Sequence, residues 1–281
     1  MTLPGPLVDA TWLAANAGDV AIADCRWYLD GRSGRDAHRA GHIPGAVWLD
    51  TDADLADAPS PAGGRHPLPD PQRFAAAMGA AGIGDRTPVV AYDDAGGSIA
   101  ARLWWMLSVL GQPAAVLDGG IGAWEGPLAA GDRATRPQPA HFTARQWPAE
   151  ATLTAAQVHP ASRGRDLILL DARVAARYRG EDTSVDARPG HIPGALSAPW
   201  PDNLGPDGRM LPAGALRERF AALGADGARP VGASCGSGVT ACHDLLAMAV
   251  AGLPAGRLHV GSWSAWSADP ANPVALGAAP G

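Results

Sequence analysis

A hexapeptide that occurs twice is the feature that most constrains how this chain of 281 residues can fold. The sequence GHIPGA stands at 41–46 and again at 190–195. Each copy follows an apolar run that ends in Asp-x-Arg, in VAIADCR at Asp24 and in LILLDAR at Asp171. The aspartate precedes the histidine of the hexapeptide by 18 residues in the first copy and by 20 in the second.

Two further landmarks follow each hexapeptide in the same order. Asp93 ends one apolar run and stands 31 residues before Trp124, and Cys235 ends another and stands 31 residues before Trp266. Ordered landmarks of this kind indicate a duplication. We therefore expect two similar domains, each long enough to bury a core of its own.

Short apolar runs alternate with helical patterns in both halves of the chain. The apolar runs are 20–24, 88–92, 114–118, 167–171, 230–234 and 257–260. The helical patterns are 71–82, 98–111, 212–224 and 239–253. Continuous apolar strands that alternate with helices predict an α/β fold with a parallel sheet covered by helices on both faces.

The predicted architecture is two tandem α/β domains joined by a linker. The first domain spans 1–132 and the second 153–281. Between them, 133–152 is rich in proline and lacks a periodic pattern, which is typical of an ordered linker.

Composition excludes several classes of function. The net charge of −6 argues against a nucleic-acid partner or an anionic membrane, and no window approaches a membrane span. The three cysteines have neither a metal-ligand spacing nor a disulfide pattern, so we expect reduced thiols, no metal and no cofactor. With no signal-peptide pattern at its start, the chain is predicted to be cytoplasmic.

The motif CGSGVT, which begins at Cys235, carries the chemistry. It lies between a predicted strand and a predicted helix, where open α/β sheets bind ligands. Gly236 and Gly238 allow successive N–H groups to turn inward, and Val239 and Thr240 lead into the positive end of a helix. Such a cradle stabilises a thiolate: a pKa near 8.5 leaves about 3% ionised at pH 7, whereas a pKa near 6.5 leaves about 75%.

Two classes of enzyme place a cysteine in such a loop. Cysteine phosphatases require an arginine six positions after the cysteine, and Ala241 stands there. The other class is the sulfurtransferases: CGSGVTAC, the two copies of GHIPGA and GSWSAW near the C-terminus resemble the tandem rhodanese-domain family. Within that family the loop is similar to that of the mercaptopyruvate-using members, and the chain departs from the usual GSWSEW signature at Ala265.

The resemblance implies two rhodanese-like domains, of which the second is catalytic and the first, with Asp93 in place of the cysteine, is not. It implies that the Cys235 thiolate takes sulfur from a donor such as 3-mercaptopyruvate as a persulfide and passes it to a thiol, such as thioredoxin, or to cyanide. Two half-reactions of this kind predict ping-pong kinetics. Ser237 is placed to donate to the carbonyl of the donor or to the departing enolate.

The same resemblance supplies candidates for the remaining roles. Arg179 matches the carboxylate-binding arginine of the family, Arg188 is a second candidate, and two guanidinium groups suit a small keto acid. His42 and Asp36 would form a Ser–His–Asp relay with Ser237, and the loop residues Gly236, Gly238, Val239 and Thr240 would hold the donor.

Three functions stay open on the sequence. The first is a persulfide-forming transferase that uses 3-mercaptopyruvate. The second is the same class of enzyme with thiosulfate as donor, which the absence of Lys and Arg from CGSGVT argues against. The third is a binding or sulfur-relay module in which Cys235 carries sulfur for a partner protein without catalysing its transfer.

Overall fold

The computed structural model describes residues 2–131, 137–158, 166–186 and 188–281. It divides into two compact units, each of which is formed by three separate stretches of the chain. The first unit comprises Met1–Asp57, Pro69–Trp147 and Pro206–Met210. The second comprises Ala58–Leu68, Pro148–Gly205 and Leu211–Gly281.

The first unit contains a five-stranded parallel sheet in the order β1-β5-β4-β2-β3. Its strands are β1 Leu7–Val8, β2 Ala21–Asp24, β3 Val47–Trp48, β4 Val89–Tyr92 and β5 Ala114–Leu117. Its helices are Ala10–Asn16, Gly34–Ala40, Pro71–Ala80, Ala100–Val109 and a 3-10 turn at Gly120–Ala123. The predicted elements of this half are thereby confirmed.

The second unit repeats the arrangement in the order β6-β10-β9-β7-β8, again with all strands parallel. Its strands are β6 Thr152–Leu153, β7 Ile168–Asp171, β8 Leu196–Ser197, β9 Val231–Ser234 and β10 Arg257–His259. Its helices include Ala175–Arg179, Ala213–Ala222, Ala241–Val250 and Ser262–Ala268, with 3-10 turns at Ala149–Ala151 and Trp200–Asn203. This confirms the α/β fold with two similar sheets.

Part of the predicted linker belongs to the packed structure of the first unit. Residues 133–136 lie outside the described residues, while Phe142 is 5% exposed and meets Phe74 edge to face, with ring centroids 5.7 Å apart. The N–H of Ala140 donates to the carbonyl of Gly79. This stretch therefore adds to the core of the first unit.

The repeated Asp-x-Arg motif ties the strand next to one edge strand of each sheet, β2 or β7, to the hexapeptide of that unit. In the second unit Arg173 donates to the Asp171 carboxylate, with the closest contact at 2.7 Å, and to the carbonyl of Gly190 at 2.8 Å. The first unit has the same pair, Arg26 with Asp24, and Arg26 likewise donates to the first glycine of its hexapeptide. These side chains are buried, so each ion pair satisfies charges that would otherwise be costly to bury.

Candidate active site

Cys235 stands directly after β9, at the carboxyl edge of the second sheet. Its sulfur accepts a hydrogen bond from the N–H of Gly238 at 3.1 Å, and its own N–H donates to the hydroxyl of Ser262 at 3.0 Å. Ser262 in turn donates to the carbonyl of His259 at 2.7 Å, and it has a left-handed φ of 49°. A non-glycine residue held in that region indicates local strain of the kind found at functional sites.

The two glycines of the loop serve different purposes. Gly238 has a φ of 79°, a left-handed conformation that turns its N–H towards the sulfur and that favours glycine. Gly236 is needed for space: a Cβ there would lie 2.9 Å from Nη2 of Arg177 and 2.9 Å from Nη2 of Arg65. Two guanidinium groups therefore lie against the residue next to the cysteine.

The rest of the predicted loop leads into the helix. Val239 is 3% exposed, and Thr240 is the residue before the helix Ala241–Val250. The carbonyls of Val239 and Thr240 accept from the N–H groups of Cys242 and His243, at 3.1 Å each. Because these bonds form the first turn of the helix, the loop that begins at Cys235 leads directly into the positive end of the helix dipole.

Ser237 is paired with a histidine that the sequence analysis did not identify. Its hydroxyl oxygen lies 2.7 Å from Nδ1 of His66. His66 is 4% exposed and belongs to the second unit through the segment Ala58–Leu68. A histidine hydrogen-bonded to a serine two residues from Cys235 is placed to move a proton there.

The segment Ala58–Leu68 is anchored beside the loop by Gly64 and Arg65. Gly64 has a φ of 76°, and a Cβ on it would lie 2.5 Å from the carbonyl oxygen of Gly261. The N–H of Arg65 donates to the hydroxyl of Ser264 at 3.0 Å. This close packing brings both Arg65 and His66 to the Cys235 loop.

Three arginines meet at one buried carboxylate, that of Asp186. Arg65 approaches its Oδ1 at 3.1 Å, and Arg177 approaches Oδ2 at 2.6 Å. Arg173 lies 3.5 Å from Oδ2 and 4.9 Å over the ring of Trp263. Burial opposes the charge on Arg173, but Asp171, Asp186 and Cys235 outweigh it and raise its pKa above the ordinary value.

The corresponding loop of the first unit shows what the cradle holds when no cysteine is present. Asp93 follows β4 and is fully buried. Its carboxylate accepts four backbone N–H groups, from Ala95, Gly97, Ile99 and Ala100, at 2.8 to 2.9 Å. Burial raises the pKa of Asp93 while these four donors oppose the rise. The loop of this fold is thus built to bind a negatively charged group.

His42 and Asp36 have other partners than the predicted relay. His42 lies in the first unit, where its Nδ1 is 2.8 Å from the carbonyl oxygen of His38 and its ring stacks on His38. His191, at the matching position of the repeat, bonds the carbonyl of Tyr178 and stacks on that ring in the same way. The shared geometry indicates a structural role for this histidine, and the structure pairs Ser237 with His66 instead.

Asp36 is on the exposed face of the helix Gly34–Ala40, where its carboxylate lies 3.5 Å from Arg39 and its side chain is 72% exposed. The short helix carries His38, which bonds Asp24, on its buried face. Because the helix turns Asp36 outward, the structure assigns it a surface ion pair.

The two predicted carboxylate-binding arginines also have other partners. Arg179 pairs with Glu181 at 2.7 Å, on the exposed end of the helix Ala175–Arg179. Arg188 donates to the carbonyls of Asp269 and Asn272 at 3.1 and 2.8 Å. For Arg179, helical geometry explains why the structure differs from the prediction, because residues two apart on a helix project from different faces. Arg177 therefore faces the loop where Arg179 was expected.

Arg65 and His66 were missed because the stretch around them, AGGRHPLP, carries no periodic pattern. The sequence feature that could have identified them is an Arg-His pair between glycines and prolines. Such a pair indicates a loop, and polar residues on loops between structured elements are frequent in active sites.

The other two cysteines are buried in packed surroundings. Burial raises the pKa of Cys25 well above the ordinary value, and the neighbouring carboxylates of Asp24, Asp93 and Asp54 raise it further. The thiol of Cys242 lies 3.4 Å from the carbonyl oxygen of Gly238. Within the described ranges, no group of three or more His, Cys, Asp or Glu side chains could hold a metal ion.

Comparisons with known proteins show the family to which the chain belongs. The family model described as the rhodanese-like domain matches residues 9–127 and 154–269. A Pseudomonas aeruginosa protein named "Probable 3-mercaptopyruvate sulfurtransferase" is 45% identical over 96% of this chain and 98% of its own length. A Mycobacterium tuberculosis protein, provisionally named as a thiosulfate sulfurtransferase, is 41% identical over 97% of this chain and 98% of its own.

Among solved structures, the 3-mercaptopyruvate sulfurtransferase from Leishmania major superposes with a TM-score of 0.84 at 30% identity. The match covers 94% of this chain and 75% of that one. In the part of the chain that the structure describes, no helix is long and apolar enough to cross a membrane.

Proposed function

Since this chain belongs to the rhodanese family of sulfurtransferases and carries two tandem copies of the domain, we propose that its second unit transfers sulfur from 3-mercaptopyruvate through a persulfide on Cys235. The observation that carries the proposal is the set of groups gathered at one loop. A cysteine in an anion-binding turn, a Ser–His pair and two guanidinium groups all lie there.

The first half-reaction moves the sulfur atom from carbon to Cys235. The thiolate attacks the sulfur of the donor, so an S–S bond forms as the C–S bond breaks, and the electron pair of that bond leaves on the pyruvate enolate. The Cys235 loop corresponds to the loop that holds the Asp93 carboxylate in the first unit. In the second unit it holds the negative charge of the thiolate and then of the persulfide. Protonation of the enolate carbon completes pyruvate.

The pair of Ser237 and His66 handles the proton in this step. With 2.7 Å between Ser237 Oγ and His66 Nδ1, the hydroxyl can pass a proton to the enolate and recover one from the imidazole. Arg177 and Arg65 bind the donor carboxylate, because their guanidinium groups border Gly236 and suit bidentate binding. This assignment replaces Arg179 and Arg188.

The second half-reaction returns the cysteine to its starting state. A thiolate acceptor, such as a small thiol or thioredoxin, or cyanide attacks the outer sulfur of the persulfide. A new bond to that sulfur forms, and the S–S bond breaks with its electron pair returning to Cys235. The donor product leaves before the acceptor enters, so ping-pong kinetics follow.

The test is the intact mass of the protein after incubation with 3-mercaptopyruvate and, separately, with thiosulfate. The wild type and Cys242→Ser should each gain one sulfur, about 32 Da as the sulfur-only increment of a persulfide, with 3-mercaptopyruvate, while Cys235→Ser should gain none. Cys242→Ser is the matched control because it leaves the loop cysteine in place. Loading by thiosulfate alone would assign the chain to the other donor, and no loading by either would favour a relay or binding module.

Thiosulfate is the second candidate donor because the Mycobacterium tuberculosis relative is named as a thiosulfate sulfurtransferase. Against it stands the loop itself, since CGSGVT contains no charged residue to hold a second negative charge. Comparing kcat/KM for the two donors, with cyanide as common acceptor, distinguishes the two activities.

A further inference from the structure

A buried carboxylate lies within the positive cluster that is proposed to bind the donor. The side chain of Asp186 is 3% exposed, and both of its oxygens contact guanidinium groups. Its Oδ1 accepts from Arg65 at 3.1 Å, and its Oδ2 accepts from Arg177 through Nη2 at 2.6 Å and through Nε at 3.1 Å. A catalytic site that only needed to attract anions would not need this acid.

Asp186 determines the net charge of the cluster. Arg173 is already neutralised by Asp171, which it contacts at 2.7 Å with both side chains buried. Arg65 and Arg177 then share Asp186, so three guanidinium groups face two carboxylates and one net positive charge is left. That charge lies beside Gly236, the residue after the nucleophile.

The two candidate donors differ in charge by one unit. At neutral pH 3-mercaptopyruvate carries one negative charge, on its carboxylate, and thiosulfate carries two. A site with one positive charge matches the first. Thiosulfate would retain an excess negative charge next to the Cys235 thiolate, and charges interact more strongly where water is excluded.

We propose that Asp186 is a specificity-determining residue, which limits the positive charge of the donor site to one and so favours a monoanionic carboxylate donor over dianionic thiosulfate. The inference rests on the proposed function, because it requires Cys235 to accept sulfur from a donor bound between Arg65 and Arg177. It assigns to Asp186 a role in choosing the donor rather than in the chemical step.

The substitution Asp186→Asn tests this role because it removes the charge and keeps both the size and an oxygen that accepts from arginine. We expect the ratio of kcat/KM for thiosulfate to kcat/KM for 3-mercaptopyruvate to rise about 10-fold, since the dianion gains twice as much from the lost repulsion. Asp186→Glu, which retains the charge, should leave the ratio near the wild-type value. The matched control is Glu181→Gln, which removes an exposed acid paired with Arg179, and its ratio should also be unchanged.

A second variant provides the test if Asp186→Asn does not fold. Arg65→Gln lowers the net charge to zero, so it should shift the ratio the other way, towards 3-mercaptopyruvate, although both rates fall. Thermal melting of each variant reports whether it is folded, and steady-state rates with cyanide as acceptor give the ratios.

The outcomes separate the inference from the proposed function. If 3-mercaptopyruvate loads the wild-type Cys235 but the ratio is unchanged in folded Asp186→Asn or Arg65→Gln, Asp186 does not determine the donor. Equal loss of both activities in Asp186→Asn would likewise overturn the inference and leave a structural role. If 3-mercaptopyruvate does not load the wild type at all, the proposed function fails and the inference with it.

Discussion

Replacing Gly236 by alanine tests whether the guanidinium groups beside the loop bind the donor. The new Cβ would lie 2.9 Å from the Nη2 atoms of both Arg177 and Arg65, whereas ordinary van der Waals contact begins at 3.4 Å. Each guanidinium must therefore move by about half an ångström. Misplacement on that scale is enough to disturb a catalytic arrangement, for which 1 Å costs about 100-fold in rate.

We expect Gly236→Ala to lower kcat/KM for 3-mercaptopyruvate about 10-fold, equivalent to about 1.4 kcal/mol of transition-state stabilisation. Stability should change little, because the φ of Gly236 is not in the left-handed region and the two contacts are with the ends of flexible side chains. The assay is steady-state kinetics with cyanide as acceptor, together with thermal melting.

Gly238→Ala is the informative comparison, because that residue has a φ of 79°. It should cost about 1–2 kcal/mol of stability through backbone strain, which lowers the melting temperature by several degrees. The reasoning would be refuted if Gly236→Ala kept the wild-type kcat/KM, since the two arginines could then not bind the donor as described.

Three further results are expected. His66→Ala should lower the rate with 3-mercaptopyruvate about 100-fold. His42→Ala should instead lower the melting temperature and leave the rate per folded enzyme unchanged. Equal effects of the two substitutions on the rate would contradict the Ser237–His66 pairing. Asp93→Ala leaves four buried N–H groups without their acceptor, so urea unfolding should show a loss of about 3 kcal/mol or more, with persulfide loading retained. Burial raises the pKa of Asp244 to about 7 from an ordinary 3.8, so the native state retains a proton that the unfolded chain releases. Stability should therefore fall between about pH 4 and 7, by up to roughly 4 kcal/mol from this group, and urea unfolding of Asp244→Asn at pH 4.5 and 7.5 should show a correspondingly smaller fall.

Several parts of the fold could be predicted from the sequence because they depend on local pattern. The central strands read as continuous apolar runs, since a parallel sheet is buried on both faces. The helix Pro71–Ala80 begins with proline after Asp70, whose side chain accepts from the N–H groups of Gln72 and Arg73. The edge strands β1, β3, β6 and β8 have two residues each, too few to show any alternation.

The position of the Cys235 loop could be predicted for the same reason. Strand, cysteine, glycines and helix are consecutive in the chain, so Cys235 and Ser237 could be located without knowing what surrounds them. The repeat also indicated that Asp93 replaces the cysteine in the first copy, and the structure adds that its carboxylate occupies the same kind of anion cradle.

The residues that surround the Cys235 loop are decided by tertiary structure. His66 is 171 residues from Ser237 along the chain, and Arg65 is 121 residues from Asp186. Arg177 and Arg179 are neighbours in sequence, and the turn of one short helix decides which of them faces the loop. The sequence by itself determined two α/β domains and the loop in which Cys235 stands, because these follow from local periodicity and a contiguous motif. Which histidine, which arginines and which acid surround that cysteine was decided by packing, because long-range contacts are set by three-dimensional proximity and leave no fixed spacing in the chain.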